Sequence, residues 1–393
     1  MGRLVIRVFL GVLVAAAVAY GIAWVYFAEP TPESQFFFAG NAVVDLRFSP
    51  DGKKLAVISF ETPPPDAAKF QVARIFRISD GEVLHSIPNA AWKSAWNSDG
   101  SLLATVESNG TDFEVWETAK WGLKRHLTLT AQSAGHESRA HNPVDAEGLA
   151  DISPGIVQRL CFNRQGSLFT VSFAQDSDSA SEYNHAKIWW DPLGKETVAE
   201  SIGSCGGPCD LAVAGSGKSP LVALAYKTPC NPEVVKIGLK SGKTVVENKV
   251  VLKDLPDKLD SPRLEMTADG RLLLARDTTQ FDIFSISDTA VQLVQSIASK
   301  APIVKGSMLW FKHVEISGDG RFAAYDTEGH LNIIRLPDGK PVLTISHPPC
   351  AVALAADGSM VAIADQSTHS VLLYRIPGGG SGSADGVNSA AQE

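Results

Sequence analysis

The chain is short of sulfur, of positive charge and of long apolar runs. Of its 393 residues only five are cysteine and four methionine, too few cysteines for a scaffold built on disulfides. No C-x-x-C-H segment occurs, which excludes covalent c-type haem attachment. No G-x-S-x-G occurs either, so the strand-to-helix nucleophile elbow is missing. Basic residues are outnumbered 35 to 43, for a net charge of −8. Only Arg3 and Arg7 precede the first acid, Glu29, so the part after residue 28 carries 33 minus 43, or −10. Nucleic-acid binding needs a basic footprint, and this balance excludes it. Apolar residues at 45% and charged residues at 20% are those of a globular chain, not a disordered one.

One long apolar run stands out. Val8 to Phe27 reads VFLGVLVAAAVAYGIAWVYF, twenty residues without a charge. As a helix it spans ~30 Å, the hydrocarbon thickness of a bilayer. Arg3 and Arg7 lie before it and Glu29 and Glu33 after it, so the positive-inside bias keeps the N-terminus in the cytoplasm and the body on the far side. The expectation is a signal-anchor over residues 1–27, with periplasm favoured over a lumen. A cleaved signal peptide is the other reading, since Ala17-Val18-Ala19 is a small-x-small site. Cleavage there would leave YGIAWVYF on the mature end, which favours the retained anchor.

The rest of the chain repeats one phrase: apolar strand, Asp-Gly turn, apolar strand. Copies are Phe48-Ser-Pro-Asp-Gly-Lys-Lys-Leu-Ala-Val57, Trp96-Asn-Ser-Asp-Gly-Ser-Leu-Leu-Ala-Thr105, Met266-Thr-Ala-Asp-Gly-Arg-Leu-Leu-Leu274, Ile316-Ser-Gly-Asp-Gly-Arg-Phe-Ala-Ala324 and Ala355-Ala-Asp-Gly-Ser-Met-Val-Ala-Ile363. Phe162 to Phe169 and Ala212 to Val222 are weaker copies. The turn glycines, Gly52, Gly100, Gly166, Gly217, Gly270, Gly320 and Gly358, are 48, 66, 51, 53, 50 and 38 residues apart. Asp-Gly between apolar runs signals a tight hairpin. A second hairpin follows each one, as in Arg74-Ile-Phe-Arg-Ile-Ser-Asp-Gly-Glu-Val83. Two hairpins per repeat make a four-stranded blade, and a period near 50 residues means a propeller.

With its Asp-Gly hairpins and the strand-end pairs Trp116-Glu117 and Trp190-Asp191, the chain resembles the WD-repeat family, in the manner of bacterial membrane-anchored WD-repeat-like proteins, over about residues 35–377. It departs from that family in having no Gly-His dipeptide that recurs from repeat to repeat and in having Ile or Phe at most Trp-Asp positions, so the family's Asp-His-Ser-Trp network is not carried over. The resemblance implies an all-β, seven-bladed β-propeller of four-stranded antiparallel blades, here preceded by one transmembrane helix. The seventh repeat supplies three strands before Pro377, and Gln35-Phe-Phe-Phe-Ala39 is an orphan strand before the first. Placing the orphan at the outside of the last blade closes the ring and removes an exposed edge. The expected organisation is thus anchor 1–27, linker 28–34, propeller 35–377 and a disordered tail 378–393.

Long connections mark a candidate interaction face. They occupy 61–69, 130–155, 175–184 and 228–232, all between the second and third strands of a blade or between blades. Such connections leave from one face of the disc, and loops on rigid scaffolds carry function. The candidate partner-binding residues are His136, Glu137, Arg139, His141 and Asp145 in one loop and Asp176, Asp178 and Glu182 in another. Their spacing is not a metal-ligand signature. The segment Gly217-Lys218-Ser219 is followed by a strand, not the helix a phosphate loop requires. For Cys205, Cys209 and Cys230, a structural disulfide or free thiols are expected over a metal.

With no catalytic constellation in view, the expected function is a protein-binding scaffold, or a subunit of a membrane-associated complex, with no cofactor. The alternative is an exported propeller enzyme, lactonase-like or quinoprotein-like, with a metal or quinone in the axial funnel. That alternative needs polar groups from several blades converging on the axis.

Overall fold

The computed structural model describes residues 30–38, 42–61, 70–108, 112–128, 157–162, 168–174, 185–191, 197–198, 208–214, 221–226, 233–240, 243–251, 263–267, 270–276, 280–287, 290–298, 314–327, 329–336, 338–346 and 350–380, and structural statements concern these. The run Val8–Phe27 lies outside them. Among the described residues no helix is long and apolar enough to cross a membrane.

Every described element is a strand. β1 (Ser34–Phe37) comes first. Sheet one follows, with β2 (Ala42–Phe48), β3 (Lys54–Glu61), β4 (Phe70–Arg77) and β5 (Val83–Pro88). Sheet two has β6 (Ala90–Trp96), β7 (Leu102–Glu107), β8 (Asp112–Glu117) and β9 (Gly122–Thr128). Sheet three has β10 (Val157–Phe162), β11 (Leu168–Ala174), β12 (His185–Asp191) and β13 (Thr197–Val198). Sheet four has β14 (Pro208–Ala214), β15 (Leu221–Tyr226), β16 (Glu233–Lys240) and β17 (Lys243–Val251). Sheet five has β18 (Arg263–Met266), β19 (Leu272–Arg276), β20 (Gln280–Ile286) and β21 (Val291–Ala298). Sheet six has β22 (Val314–Ile316), β23 (Phe322–Thr327), β24 (His330–Arg335) and β25 (Lys340–Ile345). Sheet seven has β26 (Ala351–Leu354), β27 (Met360–Asp365) and β28 (Ser370–Arg375), with β1 as its fourth strand.

The sheets follow one another as blades. The first strands abut in the order β2, β6, β10, β14, β18, β22, β26, and β26 returns against β2. The second strand of a blade is covered on both faces, so β3 is buried from Leu55 through Ser59 and β27 from Val361 through Asp365. Fourth strands such as β25 are half-exposed. The core is therefore a set of seams between neighbouring sheets. Alternation along a strand sends adjacent residues to opposite seams. Leu273 packs with Ala212, Ala214 and Ala223 of sheet four, while Leu274 packs with Val314, Ala323 and Ile334 of sheet six. Likewise Leu55 faces sheet seven and Ala56 faces sheet two.

The first hairpin of several blades uses one device. Three residues before the turn glycine, a side-chain oxygen accepts from the backbone N–H two residues after that glycine. Ser49 Oγ does so for Lys54 at 2.9 Å, Asn97 Oδ1 for Leu102 at 2.8 Å, Thr267 Oγ1 for Leu272 at 3.0 Å and Ser317 Oγ for Phe322 at 2.9 Å. These four side chains are buried, so the bond also satisfies a polar group that burial would otherwise penalise. Gly52, Gly100, Gly270, Gly320 and Gly358 have the positive φ expected of such turns; Gly166 and Gly217 lie outside the described residues.

The last sheet is completed from the start of the chain. Ser34, Gln35, Phe36 and Phe37 pair antiparallel with Leu373, Leu372, Val371 and Ser370. Phe36 turns inward and stacks on Phe76 of sheet one, ring centres 5.8 Å apart and planes 2° from parallel. Gly81, at φ +73°, lets the second turn of sheet one approach that ring: a Cβ there would lie 2.8 Å from Phe36 Cδ1. On the outside, Arg375 donates to Glu33 at 2.6 Å. One short strand thus carries both the edge pairing of sheet seven and a wedge against sheet one.

Candidate functional site

His136, Glu137, Arg139, His141, Asp145, Asp176, Asp178, Glu182, Cys205 and Cys230 lie outside the described residues. Cys209 falls in β14, but its side chain is not among those described. The described free thiol is Cys350, where burial pushes the pKa up.

A different set of charged residues converges where the first strands meet. Aligning the repeats on their turn glycines shows why. Five residues before each glycine stand Arg47, Ala95, Cys161, Ala212, Glu265, Glu315 and Ala353. The row is small or apolar except for one base and two acids. Two residues earlier, Asp45 and Lys93 hold equivalent positions in blades one and two.

Arg47 is the hub. Its Nη1 donates to Glu315 Oε2 at 3.0 Å, and its Nε lies 3.6 Å from Asp45 Oδ1. Glu315 belongs to sheet six, so the bond passes sheet seven, which stands between sheets six and one in the ring. The guanidinium pKa is raised, first by Glu315, then, against the opposing effect of burial, by Asp45 and Glu265. Arginine suits such a place because its charge persists and its planar fork meets carboxylates directionally.

Asp45 ties blades one and two together. Its Oδ2 accepts from Ser94 N at 2.9 Å and Ser94 Oγ at 2.8 Å, and Lys93 Nζ lies 3.9 Å from Oδ1. Trp96 Nε1 adds a bond to the Arg47 carbonyl at 3.1 Å. Asp45 is only 4% exposed, and it remains satisfied because Ser94 of the next blade supplies both its amide and its hydroxyl as donors. A β-bulge accompanies it: register shifts between Val43 and Asp45, and between Ala91 and Ser94 on the partner blade. Bulges re-aim side chains locally, here toward the junction of first strands.

Chemically, the arrangement can bind and orient charge. Asp45, Arg47, Lys93, Glu265 and Glu315 come from four sheets. The contacts given above join these groups to one another and to Ser94 and Trp96 of the second sheet, so they cross-link the axis. No single repeat discloses this constellation, but the offset from the turn glycines would have found its members.

Away from the axis, the seam between sheets one and two holds an aromatic group. His85 stacks on Trp121 with ring centres 5.0 Å apart and tilts against Trp116 at 5.6 Å. Lys54 Nζ sits 5.9 Å from both Trp96 and Trp121. Trp96 therefore packs between blades. The side chains of Trp92, Trp189 and Trp190 are not among those described.

No protein-family model matches the chain, and no curated protein matches it. Among solved structures it is similar to the β-propeller domain of Cps50 (Swd1) from Myceliophteria thermophila, with a TM-score of 0.57 at 12% identity over 87% of this chain and 100% of that one. It is also similar to hydrazine synthase from Kuenenia stuttgartiensis, with a TM-score of 0.56 at 13% identity over 87% of this chain and 98% of that one. At these identities the likeness concerns the fold, which is a β-propeller.

Proposed function

We propose that this chain is a membrane-anchored, seven-bladed propeller of the WD-repeat type that serves as a binding platform for a protein partner. The observation that carries this reading is the internal pairing of the axial charges. Arg47 is joined to Glu315, and Asp45 to Ser94, so these groups brace the ring. Seven four-stranded sheets whose first strands abut in a closed cycle support the blade number.

Each sheet is sequentially antiparallel, so second-to-third connections and departures from the fourth strand share one edge. The long segments 62–69, 129–156, 175–184 and 227–232 join strands at that edge. This is the partner-facing side. The anchor at Val8–Phe27 leads through Ala28–Glu33 into β1, whose start lies at the opposite edge. Because β1 begins at Ser34, the last residue of the expected 28–34 linker, six residues remain and reach at most ~20 Å, so the short-turn edge faces the bilayer and the body lies in the periplasm.

The alternative is an exported propeller enzyme, and one observation favours it: charged side chains from four sheets do meet near the axis. The test is purification of the full chain in mild detergent, followed by mass measurement, metal analysis and an absorption spectrum. A stoichiometric protein partner with no cofactor band supports the platform. A lone chain carrying a chromophore, or a metal that is lost on replacing the axial Glu265 or Glu315, overturns it in favour of the enzyme.

A further inference from the structure

On sheet two, the face turned toward sheet one is apolar near the short turns, where Leu103 and Trp116 join the seam. Toward the other edge the same face becomes polar. Alternation along β7 and β8 places Thr105, Glu107, Asp112 and Glu114 on it. Cross-strand pairing of Glu114 with Thr105 and with His126 brings β9 into the group. Three of these side chains converge closely. His126 Nε2 lies 2.9 Å from Glu107 Oε1 and 3.9 Å from Asp112 Oδ2, and one ligand atom from each residue falls within 4.8 Å of the others. Tetrahedral zinc with bonds of ~2.05 Å sets its ligand atoms about 3.3 Å apart, so small side-chain shifts would close the set.

A further observation points to a missing ligand. Thr105 is fully buried, and its Oγ1 has no hydrogen-bond partner. It lies on this same face, two residues from Glu107 and directly across from Glu114. An orphaned buried hydroxyl costs ~1–3 kcal/mol, and water held by a cation would supply its partner.

We propose that Glu107, Asp112 and His126 form a divalent-cation site of the imidazole-plus-carboxylate type, taking zinc or a similar first-row ion, with Glu114 and Thr105 beside it. The donor set fits: imidazole suits zinc and its neighbours, and carboxylates complete the charge. The site lies on the second, third and fourth strands of its blade, apart from the axial cluster. It would clamp the edge from which the 129–156 connection departs.

The test uses the full chain, stripped with chelator and titrated with zinc alone, read by calorimetry and metal counting. The expected result is one bound equivalent and a thermal midpoint that rises with zinc. Glu107→Gln combined with Asp112→Asn, and separately His126→Ala, should each weaken that equivalent roughly tenfold or more. Circular dichroism should show the metal-free fold retained, since His126 is 46% exposed on its side chain and the paired substitutions remove like charges. His136→Ala with His141→Ala should leave this equivalent in place. The proposal is overturned if the wild-type chain takes up no zinc, if these variants bind it unchanged, or if only the His136/His141 variant loses it.

Discussion

Arg47 and Glu315 are 268 residues apart in sequence and 3.0 Å apart in space. One stands on the innermost strand of the first sheet and the other on that of the sixth. Their bond is a tie across the ring, made past the sheet that lies between them. Removing one partner of a fully buried pair costs ~3–5 kcal/mol. Here the side chains keep 25% and 14% exposure, so Arg47→Met should cost less, about 2 kcal/mol. Glu315→Gln in the same chain should recover part of it, because the stranded carboxylate is then gone. Urea unfolding of the two single variants and the double would measure the coupling.

Asp45→Ala acts at a different joint. It leaves the Ser94 amide and hydroxyl without the acceptor they share at 2.9 and 2.8 Å. Bonds to charged groups contribute ~1.5–3 kcal/mol, and the orphaned donors add to the loss. The expected destabilisation is about 3 kcal/mol, with faster amide exchange at Ser94. Retained protection of that amide would show that the carboxylate is not its anchor.

Phe36→Ala tests ring closure. The ring is 6% exposed and stacked on Phe76, and truncating a buried phenylalanine costs ~3–5 kcal/mol. The consequence reaches beyond stability, because a loosened β1 uncovers the edge of β28. An uncovered edge templates association, so light scattering should detect oligomers at concentrations where the parent chain has none. An equally destabilising change far from the closure, such as Leu273→Ala in the seam between sheets four and five, should not produce them.

His85 gives the fold a pH dependence of known sign. Burial lowers its pKa below the ordinary 6.5, and its Nε2 is buried without a hydrogen-bond partner. The unfolded chain therefore takes up the proton more readily. Its contribution to stability is complete above about pH 6.5 and is lost as pH falls through the window down to the folded-state pKa. His85→Phe keeps an aromatic ring beside Trp121 and Trp116 and should flatten the thermal midpoint over that window. Unchanged slopes in parent and variant would assign the dependence elsewhere.

The readable part of this molecule was its local chemistry. The Asp-Gly turns were visible because a tight hairpin must be written in adjacent residues, as Ser49, Asp51 and Gly52 do together. The orphan run before the first repeat and the three-strand remainder after the sixth were legible for the same reason. What could not be read was anything created by the ring. Arg47, Glu265 and Glu315 share one offset from their turn glycines, yet nothing local says that positions 268 residues apart will touch. Glu107, Asp112 and His126 escaped for a related reason, since their spacing follows no ligand motif and cross-strand register assembles them. The loop residues from His136 to Glu182 drew attention by charge alone, while the described clusters lie on strands.

Site-specific photo-cross-linking in native membranes tests the platform most directly. Probes replacing Glu137 or Asp178 report on the long-loop edge, and probes replacing Lys53, Asp80 or Asp338 report on the short-turn edge. The account predicts one discrete protein partner captured from Glu137 and Asp178, and none from the three short-turn positions. Capture of the same partner equally from both edges, or from neither, would contradict it.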